Sequence, residues 1–240
     1  MRALLNFAGW LQRLIFPPRC IFCSEVVSVP GVCCKCQPVK QETLLAQPKL
    51  LPQNYCLTFI DAAYSVFNYT KPQVRRSMQR FKFYADRSMA EGYAAEMTTL
   101  LRQIQQAYKI DALVAVPWHK GDRQNRAYHA AQVLAKSVSL QLKVPYLQNS
   151  LQKTVKTKRQ HTLRLQDRAQ NIKNVFKVKD SLQISDKVIL LLDDIITTGN
   201  TVNACAQALK EAGAVKVIAI SFTASTNYNF FTGGSTYGTK

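Results

Sequence analysis

Residues 188–201 read Val-Ile-Leu-Leu-Leu-Asp-Asp-Ile-Ile-Thr-Thr-Gly-Asn-Thr. The apolar run 188–192 has the length and composition of a strand buried on both faces. It stops at two adjacent carboxylates, Asp193 and Asp194. Two apolar residues later come Thr197, Thr198, Gly199, Asn200 and Thr201, and then Val202, Cys205, Ala206 and Leu209 at helical spacing. A strand, a hydroxyl-rich turn and a helix start together make an anion site. Unpaired backbone N–H groups and the helix dipole both favour negative charge there. Two carboxylates do not bind a phosphate themselves; they suit ribose hydroxyls or a divalent metal beside it. Phosphate, diol and metal together describe a sugar phosphate. The bland alternative is a core strand whose polar turn happens to carry two acids. Closing a buried strand with a carboxylate pair is costly unless the pair is used.

The stretch 189–201 resembles the signature of the type I phosphoribosyltransferases: a hydrophobic strand, two acids, two apolar residues, then Thr-Thr-Gly-x-Thr. It matches at every position. The resemblance implies a site for phosphoribosyl pyrophosphate with Mg2+. Asp193 and Asp194 would hold ribose hydroxyls or metal waters, and 197–201 would hold the 5-phosphate.

Near the other end, Cys20, Cys23, Cys33 and Cys36 form C-x2-C-x9-C-x2-C. Two such knuckles can place four thiolates around one ion, the closed tetrahedral arrangement of structural zinc. Cys34 competes with Cys33 for one position, and the spacing favours Cys33. Disulfides are the rival reading. They need an oxidising compartment, and no segment reads as an export signal. Cys56 and Cys205 read as small buried hydrophobes.

Lys and Arg number 32 against 14 Asp and Glu, a net charge of +18. The excess favours polyanionic partners, and it clusters. Residues 151–179 carry nine Lys and Arg, among them Lys156, Lys158 and Arg159, the expected contacts to single-stranded DNA. Residues 71–87 carry Lys71, Arg75, Arg76, Arg80, Lys82 and Arg87 against Asp86. Phe81, Phe83, Tyr84, Trp118 and Tyr128 lie near basic residues and could stack on bases, though each also fits a core. The alternative for both runs is a solvated basic face. No apolar run is long enough to cross a membrane. Residues 1–16 have helical spacing at Leu4, Phe7, Leu11 and Leu14, read as an amphipathic helix docked on the protein. Membrane-surface contact is its competing use. The expected location is the cytoplasm, with peripheral contact at the inner face of the membrane left open.

The pattern after Asp61 alternates strands and helices, which argues for an α/β fold: a parallel sheet with helices on both faces. A small zinc-binding module precedes it. The expected division is 1–57 for N-terminal helix, knuckle and linker, 58–224 for the phosphoribosyltransferase-like domain, and 225–240 for a loose tail. The strand 112–116 feeds a basic loop with Lys120, Arg123 and Arg126, candidates to neutralise a pyrophosphate.

The whole pattern resembles the ComF family, competence-associated proteins with a Cys-x2-Cys knuckle before a phosphoribosyltransferase-type domain. Val116, Pro117, His119 and Arg126 match that family's first loop, while Ala127, Tyr128, His129 and Ala130 replace its Gly-Phe-Asn-Gln. Gln160, Leu163, Arg168, Asn171 and Phe176 match its middle loop, and Tyr69, Lys82 and Phe83 its early positions. The resemblance implies phosphoribosyl pyrophosphate binding and a part in DNA uptake alongside the uptake machinery. Any turnover would be pentosyl transfer. The rival expectation is a catalytically silent scaffold that binds single-stranded DNA through its basic face.

Overall fold

The computed structural model describes residues 17–51, 54–83, 89–118, 129–154 and 175–225. The expected helix at 1–16, the loop cations Lys120, Arg123 and Arg126, the DNA contacts Lys156, Lys158 and Arg159, and the tail from 226 lie outside them. The side chain of Phe83, with Tyr84 and Tyr128, does so too.

In chain order the elements are α1 (Gln37–Thr43), β1 (Lys49–Leu50), β2 (Ala62–Asn68), α2 (Pro72–Phe83), α3 (Ala90–Ala107), β3 (Ala112–Ala115) and α4 (Ala130–Leu142). A ribbon of β4 (Leu151–Lys153) and β5 (Phe176–Val178) follows. Then come β6 (Val188–Ile196), α5 (Asn200–Glu211) and β7 (Lys216–Ala224). The main sheet runs β1-β2-β7-β6-β3. Strands β2, β7, β6 and β3 are parallel, and β1 lies antiparallel on the outer edge of β2.

Parallel strands inside such a sheet bury both faces, so their sequences are apolar without a break. Along β6, Ile189 and Leu191 enter one core and Leu190 and Leu192 the other. Helices α2, α3 and α4 cover the first face with Val74, Met78, Phe81, Tyr93, Met97 and Leu134. Helix α5 covers the second with Val202, Cys205 and Leu209. Strand β2, which lies between β1 and β7, is buried almost throughout. After α4, one parallel bridge joins Tyr146 to Leu113 on the outer edge of β3.

Strand β3 leads through α4 outward, away from β6, whereas β6 leads through α5 the other way, to β7. The two helices lie on opposite faces. The chain therefore diverges between β3 and β6. A crevice opens at the carboxyl ends of strands at such a point, which is where open α/β sheets bind ligands.

The segment expected as linker, 39–57, contributes α1 and β1. Lys49 and Leu50 pair with Tyr64 and Ala63, joining the amino-terminal part to the sheet.

Candidate functional site

Strand β6 continues through both carboxylates and ends at Ile196. The next residues turn, and α5 starts at Asn200 with Gly199 as its cap in the left-handed region, φ 83°. That cap offers no side chain to the first-turn N–H groups, and the first turn holds no acid. Thr198 Oγ1 accepts the Asn200 amide at 3.5 Å; a helix start with so little side-chain capping is suited to an anion. The concavity in front of it is lined by Asp193, Ile195, Ile196, Thr197, Thr198, Gly199, Thr201 and Val202. Among the described residues, the sequence motif and the physical concavity coincide. Asn200 and Asp194 stand beside the lining and are not part of it.

The two carboxylates are not equivalent. Alternation along β6 starts them toward opposite faces. Asp194 turns toward α2, is nearly buried, and meets Lys82 with Nζ to Oδ2 at 3.0 Å. Asp193 starts toward α5 and curls forward, so that its Oδ1 accepts the Asp194 amide at 2.8 Å. Burial first, and then the Asp194 charge, push the Asp193 carboxyl up to about 8, while Lys82 pulls the other way. Cys205 on α5 is fully buried. Its thiol is pushed far up, first by burial and then by the Asp193 charge, which agrees with its reading as a small hydrophobe.

Sequence reasoning missed what supports the turn. The Cys56 amide donates to the Thr198 carbonyl at 2.8 Å. The Phe59 amide donates to Asn203 Oδ1 on α5 at 2.8 Å, and the Tyr55 hydroxyl donates to the Ser225 carbonyl at 2.5 Å. The stretch 55–59 thus clasps the loop from outside. Cys56 is half-buried and acts through its backbone, where a buried hydrophobe was expected. No local pattern announces these contacts, because each joins segments far apart in the chain.

The basic run 71–87 also divides. Lys71, Arg75 and Arg76 are exposed, as a solvated face requires. Arg80 instead donates to the Ile21 carbonyl at 3.2 Å and to the Phe22 carbonyl. Lys82 is the ion-pair partner of Asp194. Phe81 is fully buried, packed on Tyr93 with ring centroids 4.8 Å apart, so it does not present a face to bases. Trp118 packs edge-on against His129 at 4.8 Å.

At the knuckle, the sulfurs of Cys20, Cys23, Cys33 and Cys36 all lie within 4.8 Å of one another. Four sulfurs about 2.3 Å from a central zinc sit about 3.8 Å apart, so the cluster has the size to hold one. The described cysteines are free thiols. Cys34 is exposed and outside the cluster, which decides between it and Cys33. Burial opposes ionisation of Cys20, but backbone N–H groups of Cys23, Cys33 and Phe22 prevail and hold its thiol down at about 7. Burial and the neighbouring sulfurs push Cys36 up. The knuckle is wedged into the sheet's core. Ile21 is fully buried, and Ser77 Oγ meets its carbonyl. Gly92 on α3 approaches so closely that a Cβ there would lie 2.9 Å from Ile21 Cγ2. Lys40 on α1 pairs with the buried Glu96 on α3 at 2.7 Å.

The chain belongs to the phosphoribosyl transferase domain family, whose model matches residues 90–228, more than half of its length. Within that class the relatives point to the ComF group. Competence protein F of Haemophilus influenzae is 28% identical over 144 residues, 58% of this chain and 63% of that protein. Competence protein ComFC of Bacillus subtilis is 26% identical over 204 residues, 85% of this chain and 76% of that one. DNA utilization protein YhgH of Escherichia coli K12 is 30% identical over 107 residues, covering 45% of this chain and 46% of that protein. The match thus spans less than two thirds of the Haemophilus and Escherichia relatives. A solved phosphoribosyltransferase from Corynebacterium diphtheriae aligns at 19% identity with a TM-score of 0.32, covering 57% of this chain and 62% of that one. That likeness is too loose to add to the family match.

Proposed function

We propose that this protein binds phosphoribosyl pyrophosphate at the end of β6 and serves in the handling of incoming DNA. The observation that carries the first half is the open N-terminus of α5 facing a concavity that Asp193 also lines. In this reading Thr197, Thr198, Gly199, Asn200 and Thr201 hold the 5-phosphate through N–H groups and hydroxyls. Asp193 and Asp194 take the ribose hydroxyls. Lys120, Arg123 and Arg126, in the stretch after β3, face the pyrophosphate. Mg2+, when bound, adds positive charge where pyrophosphate charge develops. If turnover occurs it is pentosyl transfer, and the side chains contribute by positioning and charge more than by proton transfer. The second half is supported by the names of the relatives, competence and DNA utilization proteins. Cys20, Cys23, Cys33 and Cys36 hold a structural zinc that fixes the amino-terminal part. No helix among the described residues is long and apolar enough to cross a membrane. The proposed location is the cytoplasm, with DNA-uptake proteins as partners and any membrane contact peripheral.

Calorimetry with phosphoribosyl pyrophosphate, with and without Mg2+, tests the site. Magnesium-dependent binding is expected; none at millimolar ligand removes the reading. A second reading, single-stranded DNA binding without turnover, is favoured by the net charge of +18 and by exposed Lys71, just before α2, with Arg75 and Arg76 on it. Reversing Lys156, Lys158 and Arg159 to Glu should then cut single-strand affinity and its salt dependence. A melting temperature that falls together with the affinity would instead mark a structural role for these three cations.

A further inference from the structure

Helix α2 has an unusual course for the connection after a parallel strand. It begins beside the carboxyl end of β2, where the Lys71 amide donates to the Asn68 carbonyl at 3.2 Å. Its last turn reaches the carboxyl end of β6, where Lys82 meets Asp194. With β7 lying between those strands, α2 runs along the carboxyl edge of the sheet, the edge at which ligands bind. It is anchored from two sides. Val74, Met78 and Phe81 are buried in the core, and Ser77 and Arg80 engage the Ile21 and Phe22 carbonyls of the knuckle. The base from which Lys82 extends is therefore rigid.

A buried ion pair is weak evidence for stability, because well-packed apolar residues serve as well or better. This pair falls on one acid of the ligand motif, with Nζ on Oδ2. We propose that Lys82 is a positioning residue of the site: from α2 it fixes one oxygen of Asp194 and so holds that carboxylate beside the concavity, at the ribose end of the ligand. The proposal rests on the phosphoribosyl pyrophosphate reading above and gives the two carboxylates different duties. Asp193 lines the concavity with its carboxyl held by the chain's own amide, whereas Asp194 is aimed by a cation from another element. The ligand's phosphate is held elsewhere, by 197–201, so Lys82 governs the diol end alone.

The test is a double-mutant cycle on the full chain with Lys82→Met, Lys82→Arg, Asp194→Asn and the Met/Asn pair. Calorimetry would use phosphoribosyl pyrophosphate with Mg2+ and, separately, inorganic phosphate. Lys82→Met should weaken phosphoribosyl pyrophosphate about tenfold to a hundredfold, the size of one charge-assisted hydrogen bond. Inorganic phosphate should bind within about twofold of the parent, and Lys82→Arg should recover most of the loss. In the Asp194→Asn background, Lys82→Met should add nothing. The Met/Asn pair leaves no unpaired buried charge, so the comparison with Asp194→Asn survives if Lys82→Met alone fails to fold. Parent-like affinity in Lys82→Met overturns the proposal. So does a loss that persists in the Asn background, or one shared equally by inorganic phosphate, which would mark a merely structural role. A parent that does not bind phosphoribosyl pyrophosphate overturns the reading of the site and this role together.

Discussion

The carbonyl oxygen of Cys56 lies 2.6 Å from where a Cβ on Gly199 would stand, and the Cys56 amide lies 3.1 Å from it. Gly199 also has φ 83°, a conformation that side chains disfavour. Two independent constraints, local backbone and a distant segment, meet at the residue that opens the anion site. Gly199→Ala should therefore cost about 1–3 kcal/mol of stability and weaken inorganic phosphate and sulfate binding. Denaturant unfolding and calorimetry check both. Cys56→Ser should leave both unchanged, because Cys56 acts through its backbone.

Replacing both Asp193 and Asp194 with Asn keeps their shape and removes their capacity to carry negative charge. Magnesium-dependent binding of phosphoribosyl pyrophosphate should fall by at least about tenfold, since charge-assisted bonds and metal attraction are both lost. Thr198→Val should weaken simple phosphate and sulfate instead, with little dependence on metal. A double Asn variant that binds like the parent would show the carboxylates to be structural.

Asp193 predicts a pH dependence of folding. Burial and the Asp194 charge raise its carboxyl from 3.8 to about 8, so the folded chain keeps a proton that the unfolded chain releases. Stability from this group is then fully present below about pH 4, falls as pH rises, and is lost above about pH 8. Melting temperatures of the metal-free, ligand-free parent should decline across that window more steeply than those of Asp193→Asn. Parallel curves would show that Asp193 does not titrate there.

Purified protein should carry about one zinc per chain, measured by elemental analysis. Cys20→Ser should lose the metal and melt lower, because metal binding contributes to folding. Cys34→Ser should keep it, since Cys34 is exposed and outside the cluster. Gly92→Ala should lower melting even with metal bound, by forcing Ile21 and Gly31 away from α3.

The features legible in the sequence are those whose information lies in neighbouring residues. The run 188–192 announces a strand buried on both faces, and the acids, turn and helix start follow it within a few positions. The cysteine spacing likewise places four sulfurs without reference to the rest of the fold. What tertiary structure decided are the pairings between distant segments. Lys82 reads as one cation of the basic run 71–87 and as a match to an early family position, yet neither reading says that α2 carries it along the edge of the sheet to Asp194. Cys56 reads as a hydrophobe in a linker, yet its backbone holds the loop around Gly199. Cys33 and Cys34 are adjacent; the spacing favours Cys33, and the folded turn brings its sulfur to the other three. Hydrophobic period and turn chemistry are local properties of the chain. Which carboxylate gains a buried cation depends on packing that brings remote elements to the same edge.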